Sequence, residues 1–236
     1  MTRPVLLNNI DHHGLRLITR RSAALGDGVM LAHTFPAEFR NLQAHYPIVF
    51  QKSADGTSFH PLALLGLQAD ENLFLAGETW DASYLPLAIE RGPFYIGGDG
   101  DALVVHVDLD SPRLSHSEGD ALFLPHGGQT ETLERVTSVL QALHLGLQTL
   151  PAFIDALLAH DLLESFVLDV TGADGDQGRL AGFYTIHEER LAALDGPVLA
   201  QLHQAGHLEA IYMAVASLSN LRALIDRRQR LHASGR

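Results

Sequence analysis

The 236-residue chain carries 28 acidic side chains against 16 Lys and Arg, a formal net charge of −12 at pH 7, and 46% apolar residues. That balance supplies a substantial core but argues against a general nucleic-acid binder or a protein docked on an anionic membrane, since both need a concentrated basic face. No cysteine is present, which removes disulfides, thiolate nucleophiles and cysteine-ligated metals or clusters.

The N-terminal stretch "MTRPVLLNNIDHHGLRL" has an apolar run of only Val5 to Leu7. That is too short for a signal peptide, so a cytoplasmic location is expected. No uninterrupted run approaches the roughly 18 apolar residues of a spanning helix, and no membrane insertion is expected. Short strands follow at "LRLITR" (15–20) and "VMLAHTF" (29–35), separated by "GDG". "YPIVFQK" leads through "SADG" into "SFHPLALLGL", and Asp55-Gly56 between apolar segments predicts a hairpin. Pro47 and Pro61 lack an amide donor and suit strand starts or edges. "ENLFL", "GPFYIGG" and "DALVVHVDLD" read as further strands, with Gly97, Gly98 and Gly100 at the bend.

From Thr130 the texture changes. Leu133, Val136, Leu140, Leu143 and Leu147 recur every three or four residues, the stripe of an amphipathic helix capped by Thr130. A second helix is expected after Thr149, with Pro151 in its first turn and Phe153, Leu157 and Leu158 facing its core. "SFVLDVTGADGDQGRLAGFYTIH" (165–187) reads as a hairpin, and "EERLAAL" and "PVLAQLHQAG" as helices. "HLEAIYMAVASL" fits a buried strand or a helix equally well, and "NLRALIDRRQRL" is helical. The fold class expected is α+β, with a mainly antiparallel, hairpin-rich N-terminal half and helices mostly in the C-terminal half. It is read as one domain over residues 1–236, or as a β-rich lobe 1–128 followed by a mixed lobe 129–236.

Several of these segments carry a resemblance. Glu38-Phe39 precedes Pro47-Ile48-Val49-Phe50; then come "ALLGL" (63–67), Glu71-Asn72-Leu73-Phe74, Trp80, Tyr84 with Pro86, and Pro93-Phe94. Leu122-Phe123, "GFYTIHEERLAAL" and "SLSNLRALIDRR" complete the series. In this order they resemble the SapC family over nearly the whole chain. The resemblance implies association with a bacterial surface layer, and some members carry a peptide-permease label. It also implies an accessory role beside flavin-dependent halogenase-like and cupin-like enzymes. Two departures stand out. Glu90-Arg91-Gly92 replaces the family's basic, aromatic stretch, and Val215-Ala216 stands where relatives often have His-Leu.

The residues themselves name candidate sites rather than a reaction. Trp80, Tyr84, Phe94 and Tyr95 combine apolar faces with, in three of them, polar tips that suit a pocket wall. Arg91 can hold a carboxylate or phosphate by its fork or stack on a ring, and Asn72 can present a directional amide. Against this stands the plainer expectation that the rings are core and that Asn72 satisfies loop backbone groups. His106 and Asp108 share a strand face and, with His187, would make a facial triad for non-haem iron. No metal site is expected there, since a His-x-Asp pair arises easily among 14 histidines. His12-His13 reads as an exposed turn. His203 and His207 have zinc-site spacing, but Gly206 between them ends the helix. Asp174 and Asp176 belong to a solvated hairpin loop rather than a calcium site. Neither a GxSxG elbow nor a phosphate loop occurs, and the arginines near the C-terminus are accounted for by the helix dipole.

The expectation is therefore a soluble binding or accessory protein without a cofactor, engaging a small molecule, a peptide or a co-encoded partner protein near the aromatic segment. A non-haem metal oxygenase-like enzyme and a surface-layer component are the alternatives. Catalytic residues and oligomeric state do not follow from the sequence.

Overall fold

A computed structural model describes residues 4–99, 102–171 and 177–234. In chain order the strands and helices begin with β1 (Pro4–Leu6), β2 (Arg16–Leu17), β3 (Leu31–His33), α1 (Phe39–Leu42), β4 (Ile48–Lys52) and β5 (Phe59–Leu64). They continue with β6 (Leu75–Ala76), β7 (Thr79–Trp80), α2 (Leu87–Glu90), β8 (Phe94–Asp99), β9 (Ala102–Asp108), β10 (Leu114–Ser115) and β11 (Asp120–Ala121). The remainder is α3 (Glu131–Ala159), β12 (Leu163–Thr171), β13 (Gln177–Ile186), α4 (Glu188–Ala192), α5 (Gly196–Gln204), α6 (His207–Ser217) and α7 (Asn220–Ser234). The strand pairs are antiparallel and the longer helices lie in the C-terminal half, as the α+β reading expects.

The chain forms two compact units interleaved in sequence. The first comprises Met1–Gly28, Leu75–Asp81 and Leu87–Leu145; the second comprises Val29–Phe74, Ala82–Pro86 and Gly146–Arg236. In the first unit β1, β9 and β8 make one small sheet, β10, β2 and β11 another, and β6 pairs with β7. Leu15, Leu17, Phe94, Val107 and Leu122 pack there with Leu133, Val136 and Leu140 of α3 as a single core. A buried charge cluster sits in the same unit. Asp27, 2% exposed, is bonded by Arg113 through Nη2 and by Arg21 Nη1 at 3.3 Å. Arg113 also donates to the carbonyls of Ile18 and Arg20 at 3.1 and 3.0 Å, which fills its fork. Burial, and then the Arg113 charge, pull the Arg21 guanidinium below its ordinary pKa, while Asp27 acts in the opposite sense.

The second unit is built on the five-stranded sheet β12-β13-β4-β5-β3. The β4–β5 hairpin turns where expected, at Asp55-Gly56, because Gly56 adopts φ 73°, which costs a side-chain-bearing residue more. Phe39, Phe50 and Phe153 form the aromatic centre, with ring centroids 5.8 to 6.5 Å apart. Ser217, fully buried, links a helix to the sheet: its Oγ accepts from Ile48 N at 2.8 Å and donates to Ala214 O at 2.6 Å. Asn220 Nδ2 donates to Gln43 O at 2.7 Å. The segment "SLSNLRALIDRR" is thereby bolted to the N-terminal elements of its unit.

Several expectations are corrected. One helix, α3, replaces the two expected, and it runs through Pro151. The lost amide would have bonded the carbonyl of Leu147, and both positions are exposed, so water can serve that carbonyl. Thr149 does not cap a new helix; its hydroxyl bonds back to Gly146 O at 2.7 Å. Of the predicted stripe, Leu133, Val136 and Leu140 are buried, but Leu147 is 47% exposed. "ENLFL" is turn and irregular chain, with only Leu75 entering a strand; of the two readings left open for "HLEAIYMAVASL", the structure shows the helix. By length and composition two stretches, Glu131–Ala159 and His207–Leu231, are apolar enough to cross a bilayer, although no uninterrupted apolar run shows it. Both also supply core side chains, among them Phe153, Leu157, Ile211 and Leu224. Asp174 and Asp176 lie outside the described residues.

Candidate functional site

The residues expected to bind ligand fall in both units. In the first, Phe94 is fully buried in the core, and Arg91 Nη1 donates to the carbonyl of Phe94 at 2.9 Å while the guanidinium lies 4.4 Å over the Tyr95 ring. Trp80 is half-buried and faces Leu75 across the β6–β7 hairpin. In the second unit Asn72 Oδ1 accepts from Phe74 N at 3.0 Å, the loop-satisfying arrangement that was the plainer expectation. Tyr84 donates its hydroxyl to the buried Glu38. The structure thus brings Arg91, Phe94 and Tyr95 together, and places Asn72 and Tyr84 in internal bonds.

The arginines of α7 are also more than helix-end charges. Arg228 Nε lies 3.4 Å from Glu71 Oε1, its Nη2 donates to Gln68 at 2.9 Å, and Arg227 stacks 4.5 Å over Phe74. Glu71 meanwhile accepts from Leu67 N at 2.7 Å. Three of the segments behind the family resemblance therefore hold one another in place.

The histidine candidates resolve individually. His12 accepts from Asn8 N at 3.2 Å within an exposed turn. His106 packs its ring on Gly97, and Asp108, 7% exposed, accepts from Asp110 N. His203 lies in the last turn of α5 and His207 begins α6, with Gly206 between, as expected. Among the described residues no group of three or more His, Asp or Glu side chains is arranged to hold a metal ion.

A cleft in the second unit has the features of a binding site. It encloses about 390 Å³, and its lining includes Pro36, Ala37, Arg40, His207, Glu209 and Met213, with the buried Phe153 and Ala210 behind. Each lining group has a local cause. Pro36 opens a short 3-10 turn that precedes α1, which carries Arg40 on its outer face. The Gly206 junction between α5 and α6 turns the chain so that His207, Glu209, Ala210 and Met213 of α6 present one side to the cleft. Phe153 underlies it, its ring 5.6 Å from that of His207 in an edge contact. Burial pushes the His207 imidazole below the usual histidine range, which favours the neutral ring. At the rim Arg40 Nη1 lies 3.1 Å from Glu209 Oε1. Apolar floor and paired charges together can hold a molecule with an apolar body and polar ends.

A second hollow in this unit, of about 450 Å³, is lined by His160, His187, Glu189 and Arg190. The buried Nδ1 of His187 makes no hydrogen bond, and Glu164 Oε2 lies 3.9 Å from it. Arg190 is taken by Asp161 at 3.1 Å.

Sequence reasoning did not find the cleft. Arg40 and Glu209 are 169 positions apart, and no local spacing joins them. Asp27 had a weak signal, a carboxylate between two glycines in an otherwise apolar stretch.

A family model described as SapC matches residues 7–224. No curated protein and no solved structure matches the chain.

Proposed function

The chain belongs to the SapC family, and we propose that this member is a binding protein whose recognition site is the cleft between α1, α3 and α6. The observation that carries this reading is the cleft's make-up: apolar walls of Pro36, Ala37 and Met213, backed by the buried Phe153, beneath a rim on which Arg40 and Glu209 face each other. Pockets that take small molecules combine these elements, apolar area for affinity and a few placed polar groups for orientation. At about 390 Å³ it suits a small molecule or one side chain of a peptide rather than a large cofactor. This reading places recognition in the cleft rather than on the aromatic segment, where Phe94 is core and Asn72 and Tyr84 serve internal bonds.

The test is a thermal-shift screen of the full chain against a library of small polar and amphipathic compounds, repeated on Met213→Trp. Met213 is half-buried, so a larger ring at this position fills the cleft at modest cost to the core. Compounds that raise the wild-type melting temperature are expected to lose their effect in the variant. Compounds that stabilise both proteins equally would place recognition elsewhere and end this reading.

A further inference from the structure

Resting on the cleft as recognition site, we propose that its ligand is a zwitterion with an apolar side group, in the class of an apolar α-amino acid. The rim carries one full charge of each sign at a short spacing, Arg40 Nη1 to Glu209 Oε1 at 3.1 Å. Their side chains are 76% and 59% exposed. A pair so open to water contributes only about 0–1 kcal/mol, so it separates at little cost when something better arrives.

A zwitterion is that better partner. Its carboxylate takes the Arg40 fork and its ammonium takes the Glu209 carboxylate, and each ion keeps an opposite neighbour as water leaves. A ligand that is only anionic would set its charge against Glu209, and one that is only cationic would do the same to Arg40. A neutral ligand would leave the rim pair intact and use the floor alone. The rim therefore discriminates by two signs at once.

The floor sets the rest of the molecule. Pro36, Ala37 and Met213 offer apolar contact to a side group, with the buried Phe153 behind them, and the flexible thioether of Met213 adapts to its shape. The volume lies at the small end of ligand sites, which disfavours long acyl chains. Thr149 and His207 add polar groups without a fixed charge, consistent with a ligand whose own charges are already matched at the rim.

Calorimetric titration of the full chain with L-leucine, L-methionine and L-phenylalanine tests this, beside N-acetyl-L-leucine, L-leucinamide and 4-methylpentanoate. At least one free amino acid is expected to bind, and blocking or deleting either charge is expected to weaken binding about two- to fivefold. In Arg40→Gln the preference over the amide disappears; in Glu209→Gln the preference over the N-acetyl and deaminated forms disappears. Equal binding of free and blocked forms would overturn the zwitterion, as would no binding of any free amino acid at about 10 mM, near the weakest measurable range. Either result leaves the cleft reading intact if neutral compounds still lose binding in Met213→Trp. That reading fails separately, when the tryptophan changes nothing.

Discussion

The hydroxyl of Tyr84 donates to Oε1 of Glu38 at 3.1 Å, and the hydroxyl of Thr34 donates to Oε2 of the same carboxylate at 2.7 Å. Glu38 is 2% exposed, so these hydroxyls take the place of water around it. The backbone carbonyl of Tyr84 in turn accepts from the Tyr46 hydroxyl. Tyr84→Phe removes one donor from a buried carboxylate and is expected to cost about 1–3 kcal/mol. Urea unfolding measures it. If Tyr84 instead served a ligand, the variant would keep its denaturation midpoint and lose binding in the compound screen.

Gly146 lies where a side chain has no room. A Cβ there would come within 2.1 Å of Phe35 Cδ2, and Phe35 is itself only 3% exposed. Two effects compete in Gly146→Ala. Helix propensity favours alanine by about 1 kcal/mol, while overpacking a closed site costs about 1–3 kcal/mol. The ring cannot swing into solvent, so overpacking wins and the melting temperature falls. Gly146→Ala combined with Phe35→Leu is expected to recover part of the loss, because the two changes meet at one contact. A melting temperature that rises in the single variant would show that the helix shifts freely.

What could be read from the sequence was what is local. The Asp55-Gly56 hairpin and the Leu133–Val136–Leu140 stripe follow from turn chemistry and helical period, and both are where they were expected. Proline at 151 misled, because its cost depends on whether Leu147's carbonyl can reach water, and that is a matter of exposure rather than sequence. The stretch 207–217 was ambiguous because a helix that packs broadly on a sheet is apolar on most sides. The cleft was unreadable for a different reason. Its two charges come from α1 and α6, and nothing within either segment signals the other. The aromatic segment drew attention by composition, yet Phe94 spends its ring on the core and Arg91 its fork on a backbone carbonyl.

Asp27 balances two arginines in the first unit. Arg113 is 5% exposed, and Arg21 is close enough for the two cations to oppose each other. Asp27→Ala would leave both without their shared carboxylate, and loss of one member of a buried ion cluster costs about 3–5 kcal/mol. The exposed pair Arg190–Asp161, 54% and 75% exposed, is the control. Arg190→Ala, which leaves the left-handed backbone at Asp161 untouched, is expected to change stability by less than about 1 kcal/mol. Comparable effects of the two substitutions would mean that water reaches Asp27.

His207 is expected to make the second unit sensitive to mild acid. Burial lowers its pKa from the ordinary 6.5, so between those two values the unfolded chain binds a proton that the folded chain refuses. The contribution to stability is whole above pH 6.5, declines as pH falls towards the folded-state value, and levels off below it. Burial is the cause that sets the direction. Urea midpoints measured from pH 7.5 to 5 for wild type and His207→Gln isolate the effect, since every other carboxylate and histidine is common to both. Wild type is expected to lose more stability than the variant across that interval. Parallel curves would show the imidazole to be freely hydrated, and would remove the reason for treating this side of the cleft as dry.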